Sequence, residues 1–164
     1  MTQLVTELDV ERSYRNLMGR YATGVAVIAA THGAEPIGMA VNSFTSVSLS
    51  PALLLFCPNR ASSTWHRISE IGSFTVSLLA ADQENVSRTF AGPATDRFAE
   101  VSWTESAWGH PVIRGSLGTI DCVIESVHPA GDHDVVIARA TSWQPEGHEE
   151  SPLVFFEGKY RSLA

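Results

Sequence analysis

The sequence predicts a mainly β protein, a closed antiparallel barrel flanked by two or three short helices. Three observations predict it. About seven strand-like runs can be counted along the 164 residues. They do not alternate with helices as parallel βα units do, and short turn-rich stretches separate them. The length is that of about one domain with a sizeable core. No internal repeat, low-complexity tract or linker divides it. Residues 1–12 read as an N-terminal tail and helix start, and 13–164 as a single domain.

Residues 1–6 read as a tail. Asp9 is placed to cap a helix running to about Arg20, with Val10, Leu17, Met18 and Tyr21 as an uneven apolar face. Val25 to Ala30 is a strand, His32-Gly33-Ala34-Glu35-Pro36 a turn, and Ile37 to Val41 the second arm of a hairpin. Asn42, Ser43, Thr45, Ser46 and Ser48 then place five short polar side chains within seven positions. Such side chains turn toward backbone or ligand more readily than they pack. After Pro51, the apolar run from Ala52 to Phe56 and Cys57 has the length of a strand buried on both faces. A second hydroxyl-rich stretch, Arg60-Ala61-Ser62-Ser63-Thr64, leads into a helix from Ser63 to about Glu70, punctuated by Gly72. Phe74 to Leu79 is a strand, and Asp82 to Phe90 a helix stopped at Gly92-Pro93. Val101 to Pro111, holding Trp103 and Trp108, reads as a loop. Ser116 to Val127 and Asp134 to Trp143 are strands joined by His128 to His133. Leu153 to Tyr160 is a strand turning at Gly158.

Composition narrows the function. Eleven basic against 18 acidic residues leave a net charge of −7, scattered along the chain, which weighs against nucleic acid or an anionic membrane as partner. No apolar stretch approaches the roughly 18 residues of a membrane span, and no signal pattern opens the chain, so it reads as cytoplasmic. Cys57 and Cys122 sit in apolar runs and read as two buried thiols. Neither joins a C-x-x-C or Cys/His cluster, and no two of the six histidines share a helix at ligand spacing, so no metal is expected. G-x-G-x-x-G, the P-loop, G-x-S-x-G and H-E-x-x-H are all missing. A dinucleotide is therefore not held in the Rossmann manner.

The positive signals are few. Arg60 beside three hydroxyls, at the start of a helix, forms a candidate anion site; the other reading is that the serines and threonine cap and turn the chain. Gly131-Asp132-His133 places a histidine at a barrel mouth, as a hydrogen-bond donor to a polar substrate or as a surface residue on a hairpin turn. Phe90 is either core or the border of a ring ligand. Arg97 is either solvated or faces a phosphate.

Taken together, these segments resemble the short-chain flavin reductases, the NAD(P)H:flavin oxidoreductase components of two-component flavin-dependent monooxygenases. Ala22 to Val27, Gly38-Met39 through Asn42-Ser43-Phe44-Thr45-Ser46-Val47-Ser48-Leu49-Ser50-Pro51, and Ser62-Ser63-Thr64-Trp65 carry the first half of the likeness. Phe90-Ala91, Asp96-Arg97-Phe98, Gly131-Asp132-His133 and Pro152 to Arg161 carry the second. It extends from about Tyr14 to Leu163. Two departures are small: the family often has glycine near Ala138 and a second proline at Ala52.

The resemblance implies an antiparallel, Greek-key-like split β-barrel of the FMN-binding kind, a homodimer with flavin near the subunit seam. It implies that Asn42, Ser43, Phe44, Thr45, Ser46 and Ser48 line the isoalloxazine and ribityl chain, with Met39, Ala40 and Val41 on the cofactor side. Cys57, Pro58, Asn59, Arg60, Ser62, Ser63 and Thr64 would hold the phosphate end. Phe90, Ala91, Arg97 and Tyr160 complete the cofactor contacts, and His133 lies where the nicotinamide stacks. The implied activity is hydride transfer from NADH, with NADPH as the second candidate, to FAD or FMN, followed by delivery of reduced flavin to a partner monooxygenase. The aromatic run Phe155-Phe156 with Tyr160 is expected at the dimer seam. Two other readings compete: a non-catalytic split barrel holding flavin or haem, and an oxidase of the pyridoxamine-phosphate type.

Overall fold

The computed structural model describes residues 7–93, 96–146 and 150–163; the expected tail over residues 1–6, and His148, lie outside them. Among these residues the chain runs α1 (Glu7–Met18), β1 (Thr23–Gly24), β2 (Ala26–His32), β3 (Glu35–Val41), β4 (Thr45–Leu49) and β5 (Ala52–Phe56). It continues through α2 (Ser63–Ile71), β6 (Ser73–Leu78), α3 (Glu84–Ala91), β7 (Trp103–Glu105) and β8 (Pro111–Ile113). The last elements are β9 (Gly118–Ala130), β10 (His133–Pro145), β11 (Val154–Phe156) and β12 (Lys159–Arg161).

Seven strands form one antiparallel sheet in the order β3-β2-β6-β9-β10-β5-β4. β3 and β4 follow one another in the chain yet stand at opposite edges of that sheet. The barrel is therefore split, not closed, and residues 42–44 bridge the opening. Inside lie Ile28, Phe56, Trp65, Ile68, Phe74, Val76, Cys122 and Val136. The Phe56 ring meets Trp65 and Phe74 edge-on at 5.7 and 5.4 Å, contacts that add about 0.5–1.5 kcal/mol each beyond burial. A second cluster, Val27, Ala29, Leu79, Phe90, Phe98 and Ile113, covers the outer face. β2 is thus buried on both sides, because Ile28 and its neighbours Val27 and Ala29 point to different cores.

Several expectations need correction. α1 starts at Glu7, so Asp9 lies inside its first turn and does not cap it. The apolar side chains of α1 and its exit, Val10, Tyr14, Leu17, Met18 and Tyr21, are exposed. β5 buries only Leu54 and Phe56; Leu53 and Leu55, on its other face, stay half-exposed on a strand next to the sheet edge. The segment expected to be a loop between Val101 and Pro111 contains one arm of a short antiparallel hairpin, β7 against β8. The β9–β10 connection is only Gly131-Asp132, because the flanking residues pair out to His133 and Ala130. Gly131 supplies the positive φ, 67°, that this tight turn uses. Cys122 is fully buried and its thiol is pushed up to about 12 by burial. Cys57 is half-buried at the end of β5, its thiol also raised by burial.

Candidate functional site

The strongest local signals of the sequence converge at one end of the barrel. Ser43 and the end of β5 are tied together: the Ser43 hydroxyl accepts from the Cys57 N–H at 2.9 Å. The loop after β5 then lies against the β9–β10 turn. Asn59 bridges to His133, the Arg60 N–H donates to the Asp132 carbonyl at 2.9 Å, and the Asp134 N–H donates to the Pro58 carbonyl at 3.0 Å. Residues about 70 positions apart thus form one rigid rim.

His133 is held by its neighbour. Its Nδ1 lies 2.8 Å from Asp132 Oδ1, and the imidazole holds the Asp132 carboxyl below its usual value. A carboxylate only accepts, so Nδ1 carries the hydrogen. Neutral His133 therefore presents Nε2 as an acceptor, not as the donor that the sequence suggested; only the imidazolium donates from both nitrogens. The side chain is 43% exposed, at the surface of the rim and open to a ligand.

Asp134 was not singled out from sequence, because nothing marks a carboxylate inside a strand. Its side chain is only 13% exposed. It accepts from the Trp65 indole N–H at 2.9 Å and lies 3.5 Å from Arg60 Nε. It thereby fixes α2 and the Arg60 loop to β10. Arg60 itself remains half-exposed.

At the start of α2 the capping reading of Ser62 is realised. Its hydroxyl accepts from the Trp65 N–H at 3.2 Å, satisfying one of the free N–H groups of the first turn. Ser63 and Thr64 instead line a cavity of about 280 Å³ together with Gly38, Arg67, Arg97 and Glu35. Arg97 is not a solvated surface residue. Its guanidinium donates to the Gly38 carbonyl at 2.7 Å, to Thr64 Oγ1 at 3.1 Å and to the Gly92 carbonyl at 2.8 Å. None of these acceptors is charged. The buried Nε of Arg97 has no hydrogen-bond partner, so the wall holds an unpaired buried donor.

A second cavity, of about 140 Å³, is lined by Ala40, Val41, Asn42, Ala91 and Tyr160, and also by Val25, Ser87 and Phe155. Tyr160 is fixed there by a 2.8 Å bond to Ser87 and by Arg88 over its ring at 4.9 Å. Gly38 and Ala40 lie on one face of β3, so the two cavities follow one another along the strand. Gly38 must be small: a Cβ there would come within 2.8 Å of the Phe90 ring. Phe90 is 1% exposed and packs edge-on against Phe98 at 4.8 Å, the core reading of that residue.

Not every expected residue joins a cavity. Met39 and Phe44 pack against the barrel core. Thr45 and Ser46 lie exposed on β4, and Ser48 is partly exposed there; none lines either cavity. Pro58 is buried under the rim. Glu35 and Arg67, which no sequence signal marked, line the larger cavity as an ion pair at 2.5 Å. Among the described residues no cluster of metal-ligating side chains occurs, and no helix is long and apolar enough to cross a membrane.

Residues 18–164 match the family described as flavin reductase like domain. The chain is 41% identical over 152 residues to the flavin-dependent monooxygenase reductase subunit HsaB of Rhodococcus jostii, covering 93% of this chain and 77% of that one. It is 38% identical to an NADH-dependent flavin reductase of a Rhodococcus species, covering 99% and 94%. Among solved structures, an NADH:FAD oxidoreductase of Streptomyces globisporus, in complex with NAD and FAD fragments, superimposes with a TM-score of 0.90 at 34% identity, covering 99% and 98%.

Proposed function

The chain belongs to the flavin reductase like family, and from that premise we propose that it is an NADH-dependent flavin reductase supplying reduced flavin to a partner monooxygenase. The observation that carries the reading is Arg97, part-buried, bonded only to uncharged acceptors and with its buried Nε unpartnered, beside the Ser63 and Thr64 hydroxyls in a cavity that is followed along β3 by an apolar one. A phosphorylated ligand with a flat middle suits that pair. The donor set fits a flavin: a guanidinium and two hydroxyls for phosphate, and small residues at Gly38, Ala40 and Ala91 that leave room for a ring.

Bound flavin supplies the hydride-accepting chemistry and NADH the hydride; the protein supplies position. Ser63, Thr64 and Arg97 would hold the phosphate end. Ala40, Val41, Asn42, Ala91 and Tyr160 would border the ring end. His133, oriented by Asp132, would accept a hydrogen bond from the nicotinamide carboxamide and so fix the angle of approach, the kind of alignment that can contribute several kcal/mol to a barrier. No acid or base is required beyond this. The cation count is low, which suits a flavin held loosely enough to be passed on. NADH over NADPH is supported by the likeness to an NADH-dependent flavin reductase and to an NADH:FAD oxidoreductase.

We also propose a homodimer. Thr45, Ser46 and Ser48 lie on an edge strand outside both cavities, and a second copy laid on that edge would bring them into a site.

The test is direct. Purified protein should oxidise NADH in proportion to added FAD or FMN, and reduced flavin should appear in anaerobic solution. If NADH is consumed with neither flavin although flavin binds, the non-catalytic flavin-binding reading replaces the enzyme.

A further inference from the structure

The tip of the β9–β10 hairpin has little sheet beside it. β6 leaves β9 at Val123, and β5 leaves β10 at Val136. Residues 127–132, beyond both limits, are exposed. His133 stands in this overhang, next to a turn of two residues, and a two-stranded ribbon in water is marginal by itself. Three backbone ties converge on it from the loop after β5. Asn59 pairs with His133, the Asp134 N–H donates to the Pro58 carbonyl, and the Arg60 N–H donates to the Asp132 carbonyl. The Arg60 side chain adds two more. Its Nη1 donates to the Gly131 carbonyl at 3.4 Å, and its Nε lies 3.5 Å from Asp134 Oδ1. Arg60 therefore holds residues on both sides of His133.

Asp134 anchors that clamp. Adjacent strand residues face opposite ways, so Asp134 shares the inward face of the fully buried Val136, while His133 turns to the other face. A carboxylate on the core side of a strand costs free energy unless it is paired and hydrogen-bonded. Here both oxygens are used: Oδ2 accepts from the Trp65 indole and Oδ1 faces Arg60. Trp65 is 2% exposed and meets Phe56 edge-on, so the clamp reaches the packed core. Arg60 lines neither of the two cavities; its charge is directed at a carboxylate of its own chain.

We propose that Arg60 and Asp134 are positioning residues for His133: they serve the nicotinamide end of the reaction, and Arg60 does not bind the flavin phosphate. The proposal rests on the flavin reductase reading. Hydride transfer needs the reacting atoms about 3–3.5 Å apart, and a misplacement of about 1 Å can cost about a hundredfold in rate. A histidine that sets the angle of the nicotinamide does so only if its own backbone is fixed. The Arg60–Asp134 pair fixes it, by joining the overhanging turn to Trp65 and the core. Arginine suits this work, because its planar fork reaches a carbonyl and a carboxylate together in one geometry.

The experiment follows flavin reduction by the full-length protein in stopped flow at several NADH concentrations, with the flavin Kd measured separately by fluorescence. It compares wild type with Arg60→Gln and Asp134→Asn, each alone and on the His133→Ala background. Arg60 is half-exposed, and asparagine at 134 keeps the volume and an oxygen for the Trp65 indole. Each single change is expected to lower kcat/KM for NADH about fivefold with the flavin Kd within about twofold of wild type. The two changes combined should cost no more than either alone, since they remove one clamp. On the His133→Ala background either change should alter kcat/KM by less than about 1.5-fold, because nothing remains to be positioned. An equal loss on both backgrounds overturns the proposal: the pair would then be structural, or Arg60 would touch NADH directly. A flavin Kd raised by Arg60→Gln with NADH kinetics intact also overturns it and returns Arg60 to the flavin phosphate. Unchanged NADH kinetics and flavin Kd in both single variants overturn it too. If Asp134→Asn fails to fold, Arg60→Gln on the two backgrounds decides the question by the same outcomes. Wild type that binds flavin yet reduces none of it is a separate result, which overturns the reductase reading and this role with it.

Discussion

At the scale of the residue, the arrangement around His133 separates orientation from acid–base work. Asp132 takes the Nδ1 hydrogen at 2.8 Å, so the free Nε2 can accept but, in the neutral ring, cannot give a proton. The role that fits is alignment of the nicotinamide carboxamide. His133→Ala is expected to lower kcat/KM for NADH about tenfold, equivalent to about 1.4 kcal/mol, with the flavin Kd within twofold of wild type. His133→Asn, which can still accept through its amide oxygen, should retain part of the rate. Stopped-flow reduction at several NADH concentrations measures both; a wild-type rate and NADH dependence in the alanine variant would return His133 to a surface role. The Gly-Asp-His turn was legible in sequence because a glycine, a short acid and a histidine before an apolar run have few other uses. Asp134, Glu35 and Arg67 were not, since each gains its meaning from a partner more than 30 positions away.

At the scale of the element, the β7–β8 hairpin rests on a buried histidine. His110 is 6% exposed; its Nδ1 accepts from the Thr31 N–H at 3.1 Å, and its Nε2 lies 2.8 Å from the Ser73 hydroxyl. An Nδ1 that accepts is unprotonated, so the ring is held neutral and Nε2–H donates to Ser73. Burial pushes its pKa down, against an opposing pull from Asp121. The folded form therefore binds the proton less readily than the unfolded chain, whose histidine titrates near 6.5. Stability linked to this group is complete above that pH and is lost as pH falls below it, by at most about 1.4 kcal/mol per pH unit, flattening once the folded pKa is passed. Urea unfolding between pH 7.5 and 5 should show this fall in wild type (pH values spanning roughly the histidine range). His110→Asn should be less stable at pH 7.5 yet show a shallower decline; an identical slope would remove His110 from the linkage. The hairpin escaped sequence reading because Trp103, Trp108, Gly109 and Pro111 lack a strand's alternation. Its strands are three residues each, and tertiary bonds hold them: Ser77 accepts from the Ile113 N–H at 3.0 Å, and Thr75 donates to the Pro111 carbonyl.

At the scale of the whole molecule, the proposed dimer has a second candidate for its seam besides the aromatic run at Phe155-Phe156 and Tyr160. Phe155 and Tyr160 meet edge-on within the chain at 5.3 Å and line the smaller cavity. Apolar surface is left uncovered on α1 and also on the edge strand β4, where Leu49 is 91% and Val47 47% exposed. An edge strand with such residues needs a cover, and in the proposed dimer a second copy of the chain would be the cover that also encloses Thr45 and Ser46. Light scattering at micromolar concentration should return about twice 17.7 kDa. Leu49→Glu should shift the mass toward the monomer and weaken flavin binding in step. A wild-type mass of one chain would refute the dimer.

What the sequence determined by itself is local and periodic. Antiparallel strands, the Gly131 turn, the helix opened by Ser62 and the hydroxyl-rich segments follow from side-chain alternation, from the backbone freedom of glycine and from short polar groups that bond to nearby backbone. The split of the barrel, by contrast, depends on which strands become edges, and β3 and β4 are neighbours in the chain that end up farthest apart in the sheet. The same folding decides that Ser62 caps a helix while Ser63 and Thr64 line a cavity, a choice set by helical phase. It also turns Arg97 from a surface cation into a wall charge held by the carbonyls of Gly38 and Gly92. A side chain's type is written in the sequence, but its burial and its counter-charge come from residues that only the tertiary fold brings beside it.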